Sequence, residues 1–102
     1  GGGGGSSTPP PPAQGQLIVW TALTAVPGGS INISVDNAVV GNLAKFRTTP
    51  PVSCADTGGT FVTTVNAGTH SVGAASSTQP GITWLPANYN VPANGCMVIE
   101  LF

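Results

Sequence analysis

Charged side chains are scarce in this chain of 102 residues. It has two cationic and three anionic side chains besides one histidine, so 5% of its residues are charged, whereas a globular domain usually has about 25%. So few cations cannot form the basic patch that nucleic-acid binding needs, nor a polybasic segment for a membrane surface. We therefore expect no nucleic-acid partner.

Long hydrophobic runs and helical periodicity are missing as well. No uninterrupted apolar run is longer than that of residues 17–20, far short of the roughly 20 residues of a transmembrane helix. No window of 11 or more residues between chain breakers repeats apolar residues with a helical period. The sequence therefore predicts no direct membrane insertion and a fold built from strands.

Cysteine is limited to Cys54 and Cys96. The pair forms no CxxC motif and has no histidine ligands nearby, so we expect no zinc and no cofactor. One disulfide is the economical interpretation, and it would stabilise the fold by about 4 kcal/mol in the chain-entropy model. A disulfide implies an oxidising compartment, here extracellular or the cell surface. The alternative is two buried free thiols in a cytosolic protein.

Catalytic groups are equally few, since His70 is the only imidazole. Strict alternation places His70 on the face of Val72 and Ala74, which predicts a structural histidine on the apolar face or at its rim. A Ser–His–Asp triad would need Asp36 or Asp56 to orient the ring and a serine beside it. Nothing local in the sequence indicates that arrangement, so we do not expect an enzyme.

Calcium is a further possibility that the carboxylates raise. Asp36, Asp56 and Glu100 are scattered and belong to no DxDxDG loop, whereas calcium takes six to eight oxygen ligands. Asp36 is more simply interpreted as a turn residue that accepts bonds from nearby backbone N–H groups. We expect no metal site.

Glycine and proline are frequent in the chain and divide it into short segments. Residues 1–15 form a Gly/Ser/Pro-rich arm or linker, and residues 16–102 form one domain of short strands separated by turns. Residues 30–36 alternate cleanly as a half-buried strand, and Asp36 and Asn37 form the turn that follows. About seven such strands indicate an all-β, Ig-like sandwich with one disulfide and an extended N-terminal arm.

Two local predictions concern the second half of the chain. Residues 60–65 and 69–75 flank an Asn-Ala-Gly turn and form the strongest hairpin signal in the sequence. A short strand around Trp84 is bracketed by the breakers at 79–81 and 86–88.

Three stretches carry a resemblance to a known class of module. INISVDNAVVGNL (31–43), VNAGTHSVGA (65–74) and NGCMVIELF (94–102) resemble small Ig-like or PEGA-like β-sandwich modules of bacterial surface proteins. There a V-x-V-D-G-x-x-V-G hairpin precedes AGTH-x-V-x-A and a terminal strand; here Asn37 stands where that pattern usually has glycine. The resemblance covers about residues 30–102 and implies a fold, because its motifs are turn and core positions.

The head of the chain has a resemblance of its own. GGGGGSSTPPPP (1–12) is similar to the tether that follows the lipid-carrying cysteine of bacterial lipoproteins. The likeness implies a tether; position 1 is not cysteine, so the likeness does not by itself assign a lipid anchor.

The sequence offers candidate positions for covalently attached sugars and for a bound sugar. The sequon at Asn32 lies on the polar face of its strand and is a candidate for N-glycosylation, and O-linked sugars are plausible in the proline-rich arm. The candidate positions in the arm are Thr8, Pro9, Pro10, Pro11 and Pro12. Alternatively, the aromatic residues Trp20, Trp84 and Tyr89 could stack on a bound sugar, although core packing is the simpler interpretation of Trp84.

The segment after the arm, residues 16–24, has hydrophobic residues on both faces, which predicts a strand buried on both faces. It is a β-prone, uncharged run without proline, which would aggregate at an open sheet edge. We expect its apolar members to carry assembly; they are Leu17, Ile18, Val19, Trp20 and Leu23. The run is either the first strand of its own sandwich or the strand that completes a neighbour's sheet. The sequence thus favours a structural subunit of an extracellular filament, a homopolymer joined head to tail by its arm. The alternative is a lipid-tethered monomeric surface module that binds a glycan or a protein.

Overall fold

A computed structural model describes residues 11–24 and 29–102 of the chain. The described residues form seven strands and a disulfide between Cys54 and Cys96. The strands are β1 (Gln14–Thr21), β2 (Ile31–Val35), β3 (Ala38–Leu43), β4 (Phe61–Asn66), β5 (Gly68–Ser76), β6 (Thr83–Val91) and β7 (Cys96–Leu101). The expected all-β sandwich of seven short strands is confirmed.

The strands form two sheets. One has three strands in the order β4-β1-β7, and the other has four in the order β3-β2-β5-β6. β1 is the central strand of the three-stranded sheet, antiparallel to β4 and parallel to β7. A strand paired on both sides has no open edge, which removes the aggregation hazard of its apolar run.

The core lies between the two sheets. Alternate residues of a strand point to opposite faces, so Leu17 and Val19 of β1 face Ile31 and Ile33 of β2 across the sandwich, and Ile99 of β7 joins them. All five side chains are at most 2% exposed. The clean alternation expected for β2 is confirmed by its burial, which alternates between buried and intermediate residues along the strand.

The β2–β3 connection is the two-residue turn expected from the sequence. Asp36 and Asn37 both have positive φ, 52° and 69°, which a type I′ hairpin turn requires. Aspartate and asparagine tolerate this conformation better than other side chains, so Asn37 can stand where glycine is usual in such a turn.

The hairpin expected between residues 60–65 and 69–75 is wrong. β4 pairs with β1 in one sheet, whereas β5 pairs with β2 and β6 in the other. Gly68, with φ 124°, forms a corner that carries the chain between the sheets, and the Ala67 N–H donates to the Ala13 carbonyl at 2.8 Å. A tight turn and a corner use the same residue types, and β1 requires a partner on each edge because it is buried and its backbone N–H and C=O groups must be hydrogen-bonded.

β6 is longer than the short strand expected around Trp84. It runs for nine residues, through Pro86, because it is an edge strand and an edge tolerates a missing N–H. The β5–β6 register shifts between Val72 and Ala74, and the residue skipped there is Gly73. A Cβ at Gly73 would lie 3.1 Å from the Pro86 ring, so the glycine makes room for the proline.

The parallel pairing of β1 with β7 fixes the two ends of the sandwich. Gln16 pairs with Cys96 at one end, and Thr21 pairs with Leu101 at the other. We call the end where β1 begins the arm pole and the end where β7 finishes the far pole. The arm therefore enters at one pole, and the last strand finishes at the opposite pole.

Candidate functional site

The base of the arm is attached to the domain at the arm pole. The Asn94 N–H donates to the Gln14 carbonyl at 2.7 Å, and the Gln16 N–H donates to the Gly95 carbonyl at 2.9 Å. β1 begins at Gln14, so the ordered strand starts two residues before the boundary expected at residue 16. Pro11 and Pro12, which precede it, are exposed.

The apolar run expected to carry assembly lies in the chain's own sheet. Leu17 and Ile18 are completely buried, Val19 is 1% exposed and Trp20 5%, so burial on both faces of this strand is confirmed. Leu23 lies beyond the strand and is 37% exposed. Of the two alternatives left open by the sequence, the single chain adopts the first, in which the run is a strand of its own sandwich.

The outer face of the three-stranded sheet carries a second apolar layer. Ile18 and Trp20 alternate with the core residues and therefore point outward, as does Val98, the partner of Ile18 on β7. Cys96 lies on the same face, two residues before Val98, and its disulfide brings Cys54 of the β3–β4 loop over this face. The disulfide thus attaches the loop to this face, on which Ile18 and Trp20 are buried.

An ion pair braces the same loop. The Arg47 guanidinium binds both carboxylate oxygens of Asp56, at 3.1 and 2.8 Å, and donates to the Gly58 carbonyl at 2.8 Å. The Arg47 backbone N–H donates to the Thr21 carbonyl at 2.8 Å. The Arg47 bonds, and after them the Val52 backbone N–H, hold the pKa of Asp56 below its usual value. The loop is therefore fastened to the sheet by the disulfide and by the backbone bond from Arg47 to Thr21, and the bidentate pair holds two parts of the loop together.

His70 lies at the rim of the core near the arm pole, bonded to two acceptors. Its Nδ1 lies 2.7 Å from Asp36 Oδ2, and its Nε2 lies 2.6 Å from the Asn66 carbonyl oxygen. The Ser71 N–H donates to the other oxygen of Asp36 at 3.0 Å. The rim position expected from alternation holds: the His70 side chain is 15% exposed. The bonds link the β2–β3 turn, β5 and the end of β4.

The protonation of His70 follows from these partners. Both are acceptors, so only the doubly protonated ring donates to both of them. The hydrogen bond to Asp36, and after it the bond to Asn66, raises the pKa of His70, and the same pair lowers the pKa of Asp36. A catalytic histidine needs a nitrogen facing a nucleophile, whereas both nitrogens here are used in structural bonds.

The carboxylates considered for calcium lie in different clusters. Asp36 binds His70, and Asp56 binds Arg47. Within residues 11–24 and 29–102, no three His, Cys, Asp or Glu side chains lie close enough together to hold a metal ion.

The aromatic residues do not form one platform. Trp20 is buried on β1, whereas Trp84 and Tyr89 are half-buried on β6 and pack against the core. The Trp84 indole N–H donates to the Phe102 carbonyl at 3.1 Å. The core interpretation of Trp84 is thus supported, and a sugar platform that includes Trp20 is not formed.

An apolar depression lies between β6 and β7 and extends to the far pole, where Trp84 and Phe102 line it. Trp84, Tyr89 and Ile99 contribute to its lining, together with Leu85 and Phe102, which are 86% and 88% exposed. Its volume is about 190 Å³. Sequence reasoning missed this feature because it depends on two strands from different sheets lying side by side.

The glycosylation candidates lie in two places. Asn32 is half-buried on the outer face of the four-stranded sheet, where its side-chain oxygen accepts from Asn42 Nδ2 at 3.1 Å. Thr8, Pro9 and Pro10 lie outside the described residues. Glycosylation at these positions stays a prediction.

Comparison with known proteins assigns no relative to this chain: family models, curated proteins and solved structures all give no match. The likeness to Ig-like or PEGA-like modules therefore stays a prediction. No helix among the described residues has the length and hydropathy needed to cross a membrane.

Proposed function

We propose that the chain is a structural subunit of an extracellular filament, in which the N-terminal arm of each copy engages the far pole of the next. The observation that carries this proposal is the parallel pairing of β1 with β7, which puts the base of the arm and the end of the last strand at opposite poles. Copies linked between unlike poles form an open, head-to-tail array. The proposed role is mechanical and includes no catalytic step.

The buried state of β1 limits how the copies are joined. Withdrawing β1 to complete a neighbour's sheet would expose Leu17, Ile18, Val19 and Trp20. At about 1.5–3 kcal/mol for each buried side chain, that exposure costs on the order of 6–12 kcal/mol, comparable to the whole stability of a small domain. We therefore assign the linkage to the arm before Gln14 and not to exchange of β1.

The reach of the arm is sufficient for a link between neighbours. Thirteen residues precede Gln14, and they span about 20 Å as a coil or about 40 Å when extended. β1 has eight residues and is about 26 Å long. An arm of this reach can cross the gap between two stacked sandwiches and lie along part of the second.

Two further properties support assembly outside the cytoplasm. The net charge is −1, so electrostatic repulsion between copies is weak and association is not opposed. The Cys54–Cys96 disulfide requires an oxidising compartment to persist. Glycans on Asn32 or in the arm are part of the proposal, and an intact mass equal to the unmodified 10.0 kDa would remove them.

The proposal is tested by comparing the assembly state of the full chain with that of a variant lacking residues 1–12. This truncation ends before β1, so the domain keeps its central strand. We expect filaments from the full chain in negative-stain microscopy and sedimentation, and monomers from the truncated chain. Replacing residues 1–5 with serines is the matched control and should leave assembly intact.

Two outcomes would contradict the proposal. Filaments formed by the truncated chain would show that the arm is not the connector. A monodisperse 10 kDa species from the full chain at all concentrations would favour the alternative, a tethered surface module with a ligand at its far pole.

A further inference from the structure

We propose that the depression between β6 and β7 is the receptor for the arm, and that it binds residues 9–12 of a neighbouring copy as a polyproline II helix. This inference rests on the proposed function and specifies the contact between copies. The segment is Pro9-Pro10-Pro11-Pro12, four consecutive prolines in an uncharged arm.

The composition of the arm dictates the mode of binding. Proline has no backbone N–H, so four in succession cannot add as a strand to the open edge of a sheet. Consecutive prolines instead form a polyproline II helix, which pays little entropy on binding because it is already extended. Proteins bind such helices in grooves lined by aromatic side chains. A matching surface must therefore be apolar, aromatic and open along one side.

The depression has these properties. Trp84 and Tyr89 supply aromatic walls, and the exposed side chains of Leu85 and Phe102 flank its opening. The hydrogen bond from the Trp84 indole to the Phe102 carbonyl fixes the position of this ring. Glu100 is the only charged residue in the lining, and the arm has no charge for it to repel or attract.

The chain's own arm is too short to occupy the end of the depression that Trp84 and Phe102 line. Trp84 is next to the first residue of β6, and Phe102 follows Leu101, so both lie at the far pole. Gln14, where the arm joins the domain, lies about seven strand residues away, or about 23 Å. Residues 9–13 extend about 16 Å at most. A neighbouring copy stacked on the far pole has no such restriction.

The exposed apolar residues allow a test that leaves the core untouched. We would titrate the full chain into a dye-labelled peptide of residues 1–13 and measure binding by fluorescence anisotropy. The test variant is Leu85→Ser with Phe102→Ser, and the matched control is Val52→Ser, which changes a side chain that is 90% exposed in the β3–β4 loop. A second peptide replaces the four prolines with serine.

We expect saturable binding of the native peptide, at least tenfold weaker binding to the Leu85/Phe102 variant, and a change of less than about twofold for the Val52 control. One buried leucine-sized side chain accounts for about tenfold in affinity. The serine peptide should also bind at least tenfold more weakly. Absence of saturable binding, or equal affinities for the two variants, would overturn the inference.

The outcomes separate this inference from the filament proposal. Filaments that form normally from the Leu85/Phe102 variant would refute the receptor assignment and leave head-to-tail assembly standing. A full chain that stays monomeric but binds the native peptide at this depression would support the receptor and refute the filament.

Discussion

Loss of the Cys54–Cys96 disulfide should remove a large share of the stability of this domain. The two cysteines are 42 positions apart, and in the chain-entropy model a closed loop of this length contributes about 4 kcal/mol to the free energy of unfolding. A small domain has a total free energy of unfolding of roughly 5–15 kcal/mol. Reduction would also release Cys54 and its loop from the outer face, which carries Ile18 and Trp20.

Urea denaturation with and without a reductant measures this effect. The unfolding of each form is followed by circular dichroism and by tryptophan fluorescence, to which buried Trp20 contributes. Free energies and not midpoints are compared, because the reduced unfolded chain is more expanded and has a larger m value. We expect the reduced protein to be less stable by about 4 kcal/mol, with fluorescence reporting exposure of Trp20.

A variant with both cysteines changed to serine is the control. It should show the stability of the reduced protein and no response to the reductant. A difference of less than about 1 kcal/mol between oxidised and reduced protein would refute the reasoning, because it would mean that closing this loop does not constrain the unfolded chain as the chain-entropy model requires.

Three further predictions concern the packing and the charges of the described residues. Gly41→Ala should destabilise the protein by about 1–3 kcal/mol, because an added Cβ would overlap a phenylalanine ring of β4. The control Gly81→Ala, where a Cβ meets nothing within 4 Å, should change the free energy of unfolding little. Equal effects of the two substitutions would contradict the packing described. Ile18→Ala should cost about 2–5 kcal/mol, since this side chain is completely buried on the outer face. A cost typical of a surface site, below about 0.5 kcal/mol, would show that the outer layer is not formed. The pair of Asp36 and His70 should make stability depend on pH. The raised pKa of His70 stabilises the fold fully below pH 6.5, the ordinary pKa of histidine, and this contribution is lost as the pH rises through the pKa of the folded state. The lowered pKa of Asp36 stabilises the fold above pH 3.8, the ordinary pKa of aspartate, and this contribution is lost as the pH falls through the pKa of the folded state. The unfolding free energy of the native protein relative to His70→Gln should therefore be largest between about pH 4 and pH 6.5, and a pH-independent difference would show that the ion pair does not form.

Local sequence signals predicted most of the fold. The alternation of residues 30–36 correctly predicted which side chains of β2 face the core. The Asp36-Asn37 pair indicated a turn, and the positive φ values of both residues bear it out. Hydrophobic residues on both faces of the segment after the arm predicted that β1 is buried on both faces, as it is. These features depend on neighbours in the chain, which is why a single sequence reveals them.

The features that sequence reasoning missed depend on contacts between distant residues. An Asn-Ala-Gly sequence is compatible with a hairpin or with a corner between sheets. The corner forms because β4 pairs with β1 and not with β5. Pro86 can lie inside β6 because Gly73, thirteen residues earlier, leaves space for its ring. The link between Asp36 and His70 joins residues 34 positions apart, and it requires the β2–β5 register, which no local pattern specifies.

Head-to-tail linkage through the arm is tested most directly by photo-cross-linking from position 10. A photoreactive phenylalanine analogue replaces Pro10, copies with light and heavy isotopes are mixed, and mass spectrometry identifies the cross-linked peptides. Linkage to the far pole predicts cross-links between light and heavy copies at residues 84–85 or 102. Cross-links confined to one copy, or links between copies that avoid the far pole, would contradict it.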